Sequence, residues 1–159
     1  MSYNQSDSAM ATYRNVGLTG GVIDADPHEL ISLLMQGVLD SCARARGVLD
    51  EAEPTPRMIA QKGEQVGRAI SILETLRTCL DHDAGGDVSG NLDKLYEYMS
   101  MRLLRANATN SIAWIEEVAG LMREIKAGWD AIPDDARAAR KAAATGSRLE
   151  GADQALGSC

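Results

Sequence analysis

The sequence predicts an all-α fold, an antiparallel up-and-down four-helix bundle. The 159-residue chain has no Phe and few aromatic residues, and its apolar content suits packing of helix on helix. Apolar residues recur at three- and four-residue spacing in four segments of about 20 residues, each roughly 30 Å long as a helix. The breaks between these segments are short, which makes successive helices antiparallel neighbours.

The first helix is predicted to begin at Asp26-Pro27, because an aspartate caps free amides and a proline fits the first turn. Two apolar stripes follow, so this helix needs packing partners on two sides. The stripes are Leu30, Leu34, Val38, Cys42, Ala45 and Leu49, and then Ile31, Met35 and Leu39. We expect the helix to end at Glu53–Pro56, since neither proline there can continue the hydrogen-bond ladder.

Thr55 and Pro56 are predicted to begin the second helix in the same way. Its predicted core face comprises Ile59, Val66, Ile70, Leu73, Leu76 and Leu80. Gly63 and Gly67 interrupt this helix at a cost of about 1 kcal/mol each relative to alanine. They indicate either close approach of a neighbouring helix or neutral drift.

The most distinctive stretch runs from Leu80 to Tyr98. Gly85-Gly86 is predicted to end the preceding helix, because glycine adopts positive φ without steric cost. The third helix then continues to Asn107–Asn110, with Leu92, Leu95, Tyr96, Met99 and Leu103 along it. Tyr98 lies off that stripe and is either an ordinary surface residue or part of a contact surface.

Ser111 is predicted to cap the fourth helix, and Pro133 to end it. Its apolar seam, typical of a helix packed at a shallow angle, comprises Ile115, Val118, Met122, Ile125, Trp129 and Ile132. Three regions follow from these boundaries. We expect a mobile N-terminal arm over 1–21, the bundle over 22–132, and a disordered Ala/Gly-rich tail over 133–159, because neither end can offset its ordering entropy by burial.

Charge argues against two classes of partner. The chain has 16 basic and 23 acidic side chains and a net charge of −7, which disfavours nucleic acid and anionic membranes. No apolar run approaches the roughly 18–20 residues of a membrane span, and the polar start has no signal-peptide pattern. We therefore expect a cytoplasmic protein without membrane insertion.

Catalytic and metal-binding patterns are not found. The chain has only two histidines, so it lacks the Glu-x-x-His pairs of a metal-binding bundle. Asp81, Asp83 and Asp87 lack the glycine and the terminal glutamate of a calcium loop. No nucleophile with a base is readable. We predict no enzyme activity, no cofactor and no metal site, and a surplus of apolar helix surface that indicates either core or a groove for amphipathic helices.

Two blocks of the sequence resemble the flagellar secretion chaperone FliS family. They are ADPHELISLLMQGVL at 25–39 and LDHDAGGDVSGNLDKLYEYM at 80–99. A leader with Tyr13 and Val16 precedes them and Trp129-Asp130 follows them, in the order and spacing of the family. The resemblance covers about 13–132.

The resemblance implies a chaperone that binds the disordered C-terminal segment of flagellin in the cytosol, prevents early polymerisation and delivers the subunit to the flagellar type III export apparatus. The flagellin-binding groove is predicted to contain Ile31, Met35, Val38, Tyr96, Tyr98, Met99 and Leu103. Of these, Tyr98 and Met99 are the residues most expected at the surface. Tyr13 and Val16 of the arm would form a displaceable lid over the client surface.

Other partners follow from the same resemblance. They are the export gate and other flagellar regulators, and a homodimer is an alternative before the client binds, because the first helix carries two apolar stripes. An alternative function is a regulatory protein that sequesters another flagellar factor, such as an anti-sigma factor.

Overall fold

A computed structural model describes residues 26–137 of the chain, and the four predicted helices are present. The helices are α1 (Pro27–Leu49), α2 (Pro56–Thr78), α3 (His82–Thr109) and α4 (Ile112–Asp130). Each packs against two neighbours, α1 with α2, α2 with α3, α3 with α4, and α4 again with α1. This closed arrangement confirms the all-α four-helix bundle.

Side-chain caps begin the helices where the sequence predicts. The Asp26 carboxylate accepts from the Glu29 amide at 2.9 Å. Thr55 Oγ1 accepts from the Met58 amide, and Ser111 Oγ from the Trp114 amide, both at 3.2 Å. Each cap satisfies an amide that has no carbonyl partner within its own helix, so the predicted starts of α1, α2 and α4 are confirmed.

The helix ends were predicted less well. α1 ends at Leu49 rather than at Glu53–Pro56, and α4 ends at Asp130 rather than at Pro133. Their C-caps, Asp50 and Ala131, keep right-handed helical dihedral angles and bond back to helix carbonyls. Proline excludes continuation of a helix through its own position, but it does not prevent an earlier end.

The glycine pair does not end the second helix either, which is a further correction. α2 ends at Thr78, and Gly86 lies inside the first turns of α3 with φ 52° and ψ −127°. A side chain is strained at that φ, so glycine is required there. The Asp81 carboxylate caps this start, and Ser89 Oγ donates to the Asp81 carbonyl at 2.8 Å. α3 ends as predicted, with Asn110 in the left-handed region at φ 53°.

The core is built from the inward faces of all four helices. Its largest fully buried side chains are Tyr96, Leu34, Met35, Ile72, Leu73, Leu76, Met99, Leu103, Ile115, Met122, Val38 and Val118. Burial raises the pKa of the Cys42 thiol and of the Tyr96 hydroxyl to about 12. The predicted seams of α1 and α4 therefore lie in or against the core, except for Leu30 and Ile132 at their ends, which are only partly buried.

Polar contacts show that α2 and α3 are antiparallel. Buried Lys62, early in α2, donates to the Asn107 carbonyl at 3.1 Å and to the Asn110 side chain, both at the end of α3. Arg77, late in α2, pairs with Asp93, early in α3, at 2.9 Å. Ile59 lies one turn before Lys62 and so beyond the end of α3, which explains why it is 50% exposed rather than in the core as predicted.

α4 and α1 are antiparallel as well. Trp129, at the end of α4, stacks on His28 at 4.6 Å between ring centroids and donates to the His28 carbonyl at 2.9 Å. At the other end of the same pair, Arg46 bonds Glu116 at 2.9 Å. No helix within residues 26–137 is both long and apolar enough to cross a membrane.

Only the start of the predicted tail lies among the described residues. Residues 134–137 are helical, and Arg137 Nε donates to the Ile132 carbonyl at 3.0 Å, so the chain folds back on the end of α4. The arm over 1–21, with Tyr13 and Val16, lies outside the described residues, as does the chain after Arg137.

Candidate functional site

The structure buries most of the residues predicted to line a groove. Ile31 is 8% exposed, Met99 and Val38 are 0% exposed, and Met35, Tyr96 and Leu103 are 1–2% exposed. The expectation that Met99 lies at the surface is wrong in this structure. Three-and-four spacing marks the face that a helix buries, whether against its own bundle or against a partner. A contact between these six residues and a client stays a prediction.

Tyr98, which is 37% exposed, is the one predicted groove residue at the surface. It belongs to an exposed apolar stripe on α3 together with Met101 (54% exposed) and Leu104 (63% exposed). The stripe lies on the side of the helix opposite Met99 and Leu103. In the sequence these residues form a second apolar periodicity, offset from the core stripe. Neither Met101 nor Leu104 was assigned to a site from it.

One edge of α2 faces α3. Gly63, Gly67, Ile70, Glu74 and Arg77 follow one another at four- and three-residue spacing, so they share one edge of the helix. That edge faces α3, because Arg77 bonds Asp93 of α3 at 2.9 Å.

The matching edge of α3 runs through Asp93, Glu97, Ser100 and Leu104 at the same spacing. In the antiparallel register that the Arg77–Asp93 pair sets, Leu104 lies across from Gly67.

Gly63 and Gly67 have open space beside them on this edge of α2. A Cβ added at Gly63 or at Gly67 would meet nothing within 4 Å. The prediction that they mark close approach between helices of the bundle is therefore wrong for the described residues. Towards the other end of the helix pair, Arg77 joins α2 to α3 through ion pairs with Asp93 at 2.9 Å and with Glu97 at 3.9 Å.

Tyr98 connects α3 to α4 at the edge of the exposed stripe. Its hydroxyl donates to the Glu117 carboxylate and accepts from Arg102 Nε at 2.7 Å. The hydrogen bond with Tyr98 is the main reason that the pKa of Arg102 is raised. Arg102 Cζ also lies 5.2 Å from the Tyr98 ring centroid and 4.9 Å from that of Trp114. Tyr98 therefore links α3 to α4 through defined side-chain contacts.

A second concave surface lies between α1 and α4, with a volume of about 340 Å³. It is lined by Leu39, Cys42, Ala43, Arg46, Gly47, Asp50, Ile115, Glu116, Ala119 and Arg123. Charged side chains of both signs border it, and Arg46 and Glu116 bond each other there at 2.9 Å. We call this surface the α1–α4 groove.

Metal-ligating side chains do not cluster in the part of the chain that the structure describes, where no three His, Cys, Asp or Glu residues come together to hold an ion. Asp81 caps the start of α3, and Asp93 pairs with Arg77. These acidic groups have structural partners within the bundle.

Comparison with known proteins identifies the family. The model of the family described as flagellar protein FliS matches residues 9–136. The chain belongs to the FliS family. The resemblance seen in the sequence is thereby confirmed.

Several relatives have the same kind of name. Flagellar secretion chaperone FliSB of Pseudomonas aeruginosa is 46% identical over 124 residues, which cover 78% of this chain and 94% of that protein. Flagellar secretion chaperone FliS of Salmonella typhimurium is 37% identical (79% and 90% covered), and that of Vibrio cholerae is 32% identical (80% and 90% covered). FliS is a family of flagellar export chaperones and not an enzyme family.

Proposed function

We propose that this FliS protein is an export chaperone that binds the disordered C-terminal segment of flagellin in the cytosol, prevents its premature polymerisation and delivers it to the flagellar type III export apparatus. The observation that carries this proposal is the family match over residues 9–136. Chaperoning of this kind needs no catalytic group. The protein needs only a surface on which a client segment can fold.

The bundle supports this role because it has apolar surface to spare. Met101 and Leu104 remain more than half exposed on α3 although the core beneath them is complete. A disordered segment that folds on binding gains free energy by burying such side chains, and this gain offsets the entropy lost on ordering. The buried members of the predicted groove, such as Met35 and Leu103, could contact a client only if helices separated.

The arm fits the role of a lid in this proposal. The chain enters α1 at Asp26, and the ten residues from Val16 to that point can span about 33 Å when extended. Tyr13 and Val16 could therefore reach the outer faces of the helices and shield apolar side chains until a client displaces them. The lid remains a proposal made from the sequence.

Size-exclusion chromatography tests the function directly. The purified protein should co-elute with a flagellin from the same cell, and removing the C-terminal segment of that flagellin should abolish co-elution. If intact flagellin fails to co-elute, or if the truncated flagellin binds equally well, the proposal is wrong.

A further inference from the structure

We propose that Cys79 and Cys159 form a reversible disulfide bond that ties the tail to the end of α2. The pair is a site of oxidation that takes no part in the proposed function and does not depend on it. The bond closes when a peroxide oxidises the two thiols, and it opens in the presence of thiol reductants.

The states of two cysteines indicate this bond. The chain contains three cysteines, Cys42, Cys79 and Cys159. Cys79 is disulfide-bonded in the structure, whereas Cys42 is a buried free thiol. Cys159 lies outside the described residues, and it is the cysteine that remains as the partner of Cys79.

Cys42 is also too far along the bundle to reach Cys79. Burial lowers the pKa of Arg68 on α2, and the nearby charges of Arg44 and Asp40 on α1 also shift it, so Arg68 is level with Cys42. Cys79 lies eleven residues further along α2, which is about 16 Å along the helix axis. Cysteines whose Cα atoms are more than about 7 Å apart cannot be bridged.

The tail begins at the end of the bundle where Cys79 lies. Cys79 is the C-cap of α2. Because a short connection joins α1 to α2 and the two helices are antiparallel, this cap is level with the first turns of α1, where His28 stacks on Trp129 of α4. Arg137 holds the start of the tail against the same end of α4.

The tail is long enough to reach Cys79. α2 and α4 lie at opposite corners of the bundle, since each packs on α1 and α3. With neighbouring helix axes about 8–10 Å apart, the diagonal between α2 and α4 is about 14 Å. Residues 138–159 can span about 70 Å when extended. The bond therefore requires no rearrangement of the helices, and it draws the tail across the end of the bundle where α1 begins.

Exposure distinguishes the two cysteines within the bundle. Cys79 is only partly buried, at the end of a helix, so small oxidants and reductants can approach its sulfur. Cys42 is 2% exposed, and burial raises the pKa of its thiol to about 12. A buried thiol that stays protonated reacts slowly, which leaves Cys42 out of the reaction.

Hydrogen peroxide balances the oxidation. One thiolate attacks a peroxide oxygen, the O–O bond breaks, and the sulfur becomes a sulfenic acid while the other oxygen leaves as water. The second thiolate attacks that sulfur, so that the S–S bond forms and the hydroxyl group leaves as a second water. The two thiols lose two electrons and two protons, which reduce the peroxide to two waters. Glutathione reverses the bond by thiol–disulfide exchange and is itself oxidised.

Counting thiols in the full-length protein tests the bond. Protein treated with hydrogen peroxide, and protein reduced with dithiothreitol, are denatured, alkylated and weighed by mass spectrometry. We expect three alkylated cysteines after reduction and one, Cys42, after oxidation, with a cross-linked peptide that contains Cys79 and Cys159. Excess glutathione should restore all three thiols, and the oxidised protein should run as a monomer on a non-reducing gel.

Substitutions assign the bond to its two cysteines. Cys42→Ser should still lose two thiols on oxidation, whereas Cys159→Ser should form no bond within the chain. If oxidised wild type keeps all three thiols, bonds Cys42 or forms only covalent dimers, the proposal is overturned.

The melting temperature shows whether the folded bundle accepts the bond. Closing the loop from 79 to 159 in the unfolded chain costs more entropy than closing the shorter tail loop in the folded protein, so the bond favours folding. We expect oxidised wild type to melt about 2–5 °C above reduced wild type. Cys159→Ser treated in the same way should show no rise, and it controls for oxidation of methionines. An unchanged or lower melting temperature of oxidised wild type would contradict a bond formed in the folded state.

Discussion

Met99 and Met101 are two residues apart on α3 and have opposite environments. Met99 is 0% exposed among the core side chains, whereas Met101 is 54% exposed. We expect Met99→Asp to abolish the cooperative thermal transition seen by circular dichroism, since burying an unpaired carboxylate costs more than the few kcal/mol that separate the folded and unfolded states. Met101→Asp should leave the transition within about 2 °C of wild type. Cooperative melting of Met99→Asp at the wild-type temperature would contradict the burial.

Tyr98 contributes little to stability in spite of its two hydrogen bonds. Tyr98 is 37% exposed, and it bonds Arg102 and Glu117, which are themselves partly exposed. Exposed charged partners recover much of a lost hydrogen bond from water, so we expect Tyr98→Phe to lower the free energy of unfolding by about 1 kcal/mol or less. Urea denaturation measures this difference. A loss above about 3 kcal/mol would show that the hydrogen bonds of Tyr98 between α3 and α4 contribute strongly to the stability of the bundle.

Sequence periodicity predicts which residues share a face, but it does not predict which face is covered. It correctly groups Met99 with Leu103 and separates both from Tyr98. It could not show that neighbouring helices already cover the first group, because burial depends on contacts between residues far apart in the sequence. Met35 and Val38 were assigned to a client groove for the same reason, and in the structure they are core.

At the scale of helices, starts were easier to predict than ends. A start is encoded locally, since a cap such as Asp26 or Thr55 bonds an amide three residues later. The ends at Leu49 and Thr78 have no comparable side-chain signal, because their C-caps use ordinary backbone bonds. The start of α3 was predicted too late although the Asp81 side chain caps it, because the glycine pair was interpreted as the end of a helix. The need of Gly86 for positive φ was interpreted correctly.

The ion pair between Arg77 of α2 and Asp93 of α3 should weaken in acid. The hydrogen bond from Arg77 lowers the pKa of Asp93 below its ordinary value, so the folded state holds this carboxylate charged at a pH where the unfolded chain begins to protonate it. The resulting stabilisation is complete above an ordinary aspartate pKa of about 4 and is lost as the pH falls through the lower folded value. We expect Asp93→Asn to be less stable than wild type at pH 7 and to approach it below pH 3.

Melting temperatures across pH 2–7 check this expectation. Asp87→Asn is the control, because Asp87 is an exposed acidic residue of the same helix. A constant difference between Asp93→Asn and wild type at every pH would show that the ion pair does not contribute in this way.

Lys62 connects the same two helices by hydrogen bonds at their other end. Its side chain is 5% exposed, and its ammonium donates to the Asn107 carbonyl and to the Asn110 side chain. Lys62→Ala removes both hydrogen bonds and leaves two acceptors without a donor, so we expect a loss of about 1–3 kcal/mol in the free energy of unfolding. Arg57→Ala, at an exposed position of the same helix, should change it by less than about 0.5 kcal/mol. If Lys62→Ala and Arg57→Ala change the free energy of unfolding equally in urea denaturation, the hydrogen bonds of Lys62 do not stabilise the contact between α2 and α3.

At the scale of the whole molecule, the bundle is already a closed unit. Every helix packs on two neighbours, and the core contains side chains from all four. A client that binds without disrupting this core must use the outer faces, where α3 has Met101 and Leu104 exposed. The sequence resemblance predicted the family and the class of function, and it could not predict this surface, because the blocks that carry the resemblance contain buried and exposed residues together.

The described helices should fold without the N-terminal arm. α1 begins at its own cap, Asp26, and His28 holds the end of α4 through Trp129, so deletion of residues 1–21 removes none of these contacts. We expect this deletion to keep the wild-type melting temperature. Client affinity should be equal or higher, because a client no longer has to displace Tyr13 and Val16.

Deletion of 1–29, which also removes the cap and the His28–Trp129 contact, is the comparison and should lower the melting temperature. Circular dichroism and titration with flagellin measure the two properties, and weaker binding after deletion of 1–21 would show that the arm contacts the client instead of covering its site.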